Sequence, residues 1–115
     1  MNHIDLSQLT ADDLRPCLYQ SFNTTILAQV PGHAPTQQTI ALELAEVAEL
    51  PAQRGPRASF ALTFLGPPST HHLPQRTYPL QHDHLGQLAI FLTPIGPASE
   101  RVNHQVRMRY QAIFN

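Results

Sequence analysis

The chain lacks lysine, and all seven of its basic residues are arginines. Schiff-base catalysis, a phosphate-loop lysine and a Ser-Lys dyad each require the missing side chain. The five glycines are also too widely spaced to form a GxGxxG or GxxxxGK phosphate cradle. These absences exclude the nucleotide-dependent and amine-dependent chemistries that use those motifs.

Cysteine is also scarce. The single thiol, Cys17, cannot form an intramolecular disulfide, which favours a reducing compartment. A lone thiol could act as a nucleophile, but an isolated cysteine near a helix end is typical of a small packed residue. No stretch approaches the roughly 18 apolar residues of a membrane span, and the first residues show no signal-peptide pattern. We therefore expect a cytoplasmic protein with no membrane partner.

Net charge and length restrict the interpretation further. Seven arginines balance eight acidic residues to give a formal charge of -1, so no net field attracts nucleic acid. A chain of 115 residues fits one domain, and it can bury roughly two-thirds of its unfolded surface without a metal or disulfide. We expect a single β domain over residues 1–115 with no cofactor.

Apolar and polar residues alternate with period two in four stretches of the chain. They are Ile40–Leu44, Phe60–Phe64, Leu88–Leu92 and Met108–Phe114. Successive side chains of a strand point to opposite faces, so each stretch is typical of a half-buried strand. The pattern predicts an all-β fold, a small antiparallel barrel or sandwich of about six strands.

A short N-terminal helix over about residues 10–18 precedes the strands. Thr10 and Asp13 have the spacing of a capping box, and Pro16 limits the helix to one or two turns. Strands are then expected within about residues 20–114. Their predicted ranges are 19–30, 38–50, 60–66, 75–82, 86–93 and 105–114, with a hairpin turn at 83–86 and loops at 51–56 and 94–104.

Two irregularities refine this pattern. The apolar parity slips between Leu44 and Val47, which predicts a β-bulge near Ala45-Glu46. Pro79 cannot donate to a sheet ladder, so its strand should lie at an edge or a bulge. Strand length and the bulge favour a barrel over a sandwich. A helix over 38–50 is the main competitor, since glutamates recur there every three residues, and it would make the fold α+β.

Histidine supplies the main candidate chemistry. His71, His72, His82 and His84 lie close in sequence, and His82 and His84 would share one face of a strand, so they are weak candidates for a metal site. However, Asp83-His-Leu-Gly86 is favourable turn chemistry, and paired histidines in a polar loop are usually solvated. We predict no metal, no catalytic residue and no enzymatic activity.

The last predicted strand presents a candidate interaction surface. Arg107 and Arg109 alternate with Met108 and Tyr110 and should face solvent. Arginine beside an exposed tyrosine is typical of protein interfaces. Most arginines on such a face only keep it soluble, so Arg107, Arg109 and Tyr110 are a candidate interaction surface with that simpler alternative.

Several motifs together resemble an uncharacterised bacterial family of small domains. They include Leu-Glu-Leu-x-x-Val-x-Glu-Leu-Pro at 42–51, Leu-Pro-Gln-x-Thr-Tyr-x-Leu-x-His at 73–82 and Met-Arg-Tyr-Gln-Ala-Ile-Phe-Asn at 108–115. The members of this family are often encoded beside phage tail-collar proteins of the microcystin-dependent type. The resemblance implies an accessory role near a fibre-like or phage-tail-like assembly, and it brings no catalytic residues.

Two functional hypotheses follow. The favoured one is a non-enzymatic protein-interaction or assembly module, which could bind a tail-collar-type fibre protein or form a homo-oligomer. The alternative is a small-ligand or metal-binding β-barrel that uses the loop histidines. A protein partner favours the first hypothesis, and a polar pocket around His71, His72, His82 and His84 favours the second.

Overall fold

A computed structural model shows a barrel of six antiparallel strands behind a short helical segment. It describes residues 6–28, 31–50, 59–68, 72–102 and 105–114. The strands are β1 (Ser21–Ala28), β2 (Thr36–Glu49), β3 (Phe60–Pro68), β4 (Arg76–His82), β5 (Gly86–Val102) and β6 (Gln105–Phe114). The predicted loop at 51–56 and the predicted end of the first strand at 29–30 lie outside these ranges.

The strands close in the order β1-β2-β3-β6-β5-β4, with every neighbouring pair antiparallel. This order confirms the all-β prediction and decides between its two forms, because one sheet closes on itself instead of two sheets packing face to face. The competing helix over 38–50 is excluded, since β2 is extended over Thr36–Glu49. No helix in the described part of the chain is long and apolar enough to span a membrane.

The period-two alternation fills the barrel interior with side chains. Every strand contributes inward residues that are less than a tenth exposed, and aromatic pairs pack both across the interior and between neighbouring strands. The rings of Phe22 and Phe64 meet edge to face at 5.3 Å, and those of Phe60 and Phe114 stack at 4.8 Å. The interior is therefore a packed core.

The N-terminal segment confirms the predicted cap and changes the role of the proline. Thr10 Oγ1 accepts from the Asp13 N–H, and Asp13 Oδ2 accepts from the Thr10 N–H at 2.9 Å, which completes the capping box. The α-helix α1 spans only Ala11–Leu14, and a 3-10 turn continues over Arg15–Cys17. Pro16 lies in the first positions of that turn, where its missing N–H leaves no hydrogen bond of the turn unmade.

The predicted bulge in β2 is confirmed. The register between β2 and β3 shifts between Leu44 and Glu46, so Ala45 is the extra residue. Residues 42 and 44 face the core before the bulge, and Glu46 is exposed after it. The parity slip in the sequence was thus a direct signal of the bend.

The predicted loop over 94–104 is wrong over 94–102, and its last two residues lie outside the described ranges. Strand β5 continues through Pro94, Gly96 and Pro97 to Val102. The register shifts between Pro94 and Gly96 and between Pro97 and Arg101. These bulges accommodate prolines, which cannot donate to a regular ladder, and Gly96, which has a φ of 112°. Turn-forming residues here mark bulges inside a long strand.

Pro79 lies in a strand that is paired unequally on its two sides, as its missing N–H predicts. Strand β4 pairs with β5 over Arg76–His82, including Pro79 opposite Ala89. Toward β1, the described residues share one Cα pair, Asn23 with Gln81. The barrel therefore closes at one end of β4 and stays open along the part of β4 that holds Pro79.

Tyr110 ties the segment before β4 to the core. Its hydroxyl accepts from the Leu73 N–H at 2.8 Å, and the ring is 3% exposed. A methyl group at Gly66 would lie 3.1 Å from the ring's Cε2, so little room remains around it. The hydroxyl thus satisfies a buried backbone donor that has no strand partner.

We predict that Tyr110→Phe lowers the free energy of unfolding by about 1–3 kcal/mol, because the buried Leu73 N–H loses its acceptor. Urea unfolding at neutral pH measures the change. Tyr19→Phe is the matched control, since the Tyr19 side chain is 73% exposed and should change stability by less than about 0.5 kcal/mol. Equal losses in the two variants would show that the Leu73 contact is unimportant.

Candidate functional site around His82

Of the described histidines that were candidates for a metal site, His82 is the buried one. It is the last residue of β4, and its side chain is 2% exposed. Its ring stacks on Phe22 of β1 with a centroid distance of 4.5 Å and an interplanar angle of 28°. The histidine therefore lies inside the barrel at the end where β1 and β4 meet.

Both ring nitrogens of His82 are occupied. Nδ1 accepts from the backbone N–H groups of His84 and Leu85, each at 3.1 Å. An acceptor at Nδ1 places the proton of the neutral ring on Nε2, which then donates to Gln20 Oε1 at 2.7 Å. Burial lowers the pKa of His82, the neighbouring His84 lowers it further, and Asp83 acts in the opposite direction. The ring is thus held neutral as a structural side chain.

The chain reaches Gln20 through an unusual backbone conformation. Tyr19 has a φ of 68°, in the left-handed region that non-glycine residues seldom adopt. The Tyr19 N–H donates to the Leu44 carbonyl at 2.7 Å, and the Leu44 N–H donates to the Gln20 carbonyl at 3.1 Å. These bonds to β2 hold the turn, which positions the Gln20 amide against His82.

The predicted histidine cluster forms only in part. His82 and His84 lie near each other, with ring centroids 5.8 Å apart, and His84 is exposed. His72 is exposed in the segment before β4, and His71 lies outside the described residues. Within the described ranges, no group of three or more His, Cys, Asp or Glu side chains could hold a metal ion. The hydrogen bonds of His82 also leave it no lone pair to donate.

Cys17 lacks the surroundings of a reactive thiol. It is 5% exposed, and burial raises its pKa. Its Sγ lies 4.0 Å from the Asp13 carbonyl, a weak contact with a neutral acceptor. The thiol therefore stays protonated and acts as a small packed residue.

The predicted interaction surface on β6 needs correction at Tyr110, which is buried and cannot contact a partner. Tyr110 lies on the face of β6 that points into the barrel, as Ala112 and Phe114 do. Arg107 is partly buried and engaged: Nε donates to the Gly66 carbonyl at 2.9 Å, and Nη2 pairs with Glu43 at 3.0 Å. Arg109 is exposed, as predicted. Only Arg109 of the three thus keeps the accessibility that a binding role requires.

The sequence patterns did not predict the exposed apolar side chains on β5 and β6. Phe91 and Ile113 are each 51% exposed. They border a cleft of about 450 Å³, where the pairing of β5 and β6 ends at Thr93 and Gln111. Residues of β5 and β6 line the cleft together with Leu6 and with Thr77 of β4. Phe91 stands out of phase with Leu88, Ile90 and Leu92, and this was the available sequence signal.

The chain belongs to a family described as a domain of unknown function, DUF6916, whose model matches residues 9–114. This match spans the helical segment and all six strands. No curated protein and no solved structure matches the chain.

Stability should depend on pH through His82. An unfolded histidine has a pKa of about 6.5, and the folded pKa is lower. The unfolded state therefore binds the proton first as the pH falls. We predict that the free energy of unfolding is highest above about pH 6.5 and decreases as the pH drops toward the folded pKa of His82.

Urea unfolding at pH 7.5 and pH 5.5 measures this effect. His82→Asn keeps an acceptor near the two backbone N–H groups and removes the titration, so its stability should change less with pH. His72→Asn is the control and should keep the wild-type loss, because His72 is exposed and takes no part in the hydrogen bonds of the His82 ring. An unchanged pH dependence in His82→Asn would contradict the assignment.

Proposed function

We propose that this protein is a non-enzymatic protein-interaction or assembly module. The observation that carries the proposal is the pair of half-exposed apolar side chains, Phe91 and Ile113, at the cleft between β5 and β6. Aromatic residues are enriched at protein interfaces. Burying exposed apolar surface stabilises a complex by about 25 cal/mol per Å². A partner that covers this cleft would recover that free energy.

The uncharged lining of this cleft favours the binding of a protein surface. The lining residues that the structure describes include no ionisable side chain, and Thr77, Thr93 and Gln111 supply neutral polar groups beside the apolar ones. An interface core is typically depleted of charge and surrounded by polar residues. No described lining residue is an acid, a base or a thiol that could activate the threonine hydroxyls, so we favour binding over catalysis here.

The resemblance of the sequence motifs to the family suggests which kind of partner to consider. We propose that the partner is a tail-collar-type fibre protein and that this module is accessory to its assembly. The alternative, a metal-binding or small-ligand barrel, has less support, because His82 uses both ring nitrogens inside the fold and the barrel interior is filled by side chains.

Site-specific photo-crosslinking in the native host tests the proposal. A benzoylphenylalanine at position 91 should give one discrete adduct with a protein partner, identified by mass spectrometry. The same group at position 39, an exposed residue of β2, is the matched control and should give no such adduct. Phe91→Lys should abolish the complex in co-purification while leaving the urea midpoint unchanged, since the side chain points outward.

Two results would overturn the proposal. One is the absence of a discrete adduct at position 91 with the protein at its native level. The other is the same set of adducts from positions 91 and 39, which would indicate nonspecific contact.

A further inference from the structure

At the junction of β1 and β4, most of the strand edges that face each other are unpaired. Strand β1 pairs with β2 over Ser21–Ala28, and β4 pairs with β5 over Arg76–His82. Between β1 and β4, the described pairing consists of Asn23 opposite Gln81. The edge of β1 beyond Asn23 thus faces β4 without a ladder, and unpaired strand edges are sites where another extended chain can add.

A cleft of about 440 Å³ lies along this open junction. Its lining residues come from β1, from β4 and from the segment before β4: Thr25, Ile26, Leu27, Leu73, Pro74, Arg76 and Tyr78. Leu27 is 67% exposed, whereas Tyr78 is buried and forms the base of the cleft. The lining thus combines an apolar floor with a strand edge.

Arg76 is the one charged side chain among these lining residues. Its guanidinium lies over the Tyr78 ring, 4.9 Å from the centroid, and the Tyr78 hydroxyl donates to the Pro74 carbonyl at 2.5 Å. These contacts orient the cation without neutralising it, and no carboxylate of the described residues forms an ion pair with it. Among the described residues, the cleft therefore carries one oriented positive charge that has no ion-pair partner.

The two edges are not equivalent. Continuing the Asn23–Gln81 register would place Thr25 opposite Pro79, and proline offers no N–H to an incoming strand. The β1 edge has no proline over Ser21–Ala28. An added strand would thus find its hydrogen-bonding edge on β1 and its charge partner on β4.

We propose that this cleft binds an extended segment of a partner protein, which adds as a strand along the β1 edge and places an Asp or Glu side chain on Arg76. The period-two geometry of a strand means that residues two positions from the acid point the same way and pack on the apolar floor. The acidic side chain follows from charge complementarity with Arg76. This site is distinct from the Phe91 cleft and does not depend on the function proposed for it.

Peptide display tests this inference with the intact protein. A phage-displayed library of random nonapeptides, fused so that no free carboxyl terminus is present, is selected against the wild type. Enriched sequences should carry one Asp or Glu flanked at two positions by apolar residues. As synthetic amidated peptides, they should shift the backbone amide signals of Thr25–Leu27 in NMR spectra.

Matched variants and peptides complete the test. Arg76→Gln should bind about tenfold more weakly, and replacing the acid by its amide in the peptide should cost a similar factor. Arg109→Gln removes another exposed arginine, on β6, and should leave the affinity for the peptide unchanged. Three results would overturn the proposal: an enriched pool without acidic residues, equal losses from Arg76→Gln and Arg109→Gln, or amide shifts confined to other strands.

Discussion

Closure of the barrel depends on His82. A sheet of six strands can close only if its two edge strands meet, and β1 and β4 share a single described Cα pair, Asn23 with Gln81. Next to that pair, the His82 ring of β4 stacks on Phe22 of β1 and bonds Gln20 just before β1. One neutral imidazole therefore contacts both sides of the junction, and its Nδ1 accepts from the turn into β5.

This use of His82 determines where function can lie. The imidazole is committed to the fold, and the barrel interior is occupied by packed side chains, so neither offers a reaction centre. Accessible features remain where strand pairing ends: Phe91 and Ile113 between β5 and β6, and Arg76 between β1 and β4. The barrel joins its strands tightly in some places and leaves them apart in others, and we propose that partners bind at the gaps.

The sequence predicted the features that local patterns determine. Alternation predicted the strands, the slip before Val47 predicted the bulge at Ala45, and the Thr10–Asp13 spacing predicted the cap. The roles of His82 and Tyr110 could not be predicted, because their partners, Gln20 and Leu73, are distant in sequence and meet them only in the closed barrel. The continuation of β5 past Pro94 was missed for a related reason, since β6 supplies the pairing that makes bulges tolerable there.

Residue-resolved amide hydrogen exchange tests the central claim, a barrel closed at one point between β1 and β4, most directly. Strand β3 is paired on both sides, so its amides over Phe60–Leu65 should be protected without interruption. Along β1, only the amides that face β2 should be protected beyond Asn23, which gives alternating slow and fast exchange over Thr24–Leu27. Continuous protection of Thr24–Leu27 would contradict the account, because it would mean that β1 and β4 pair along their whole length.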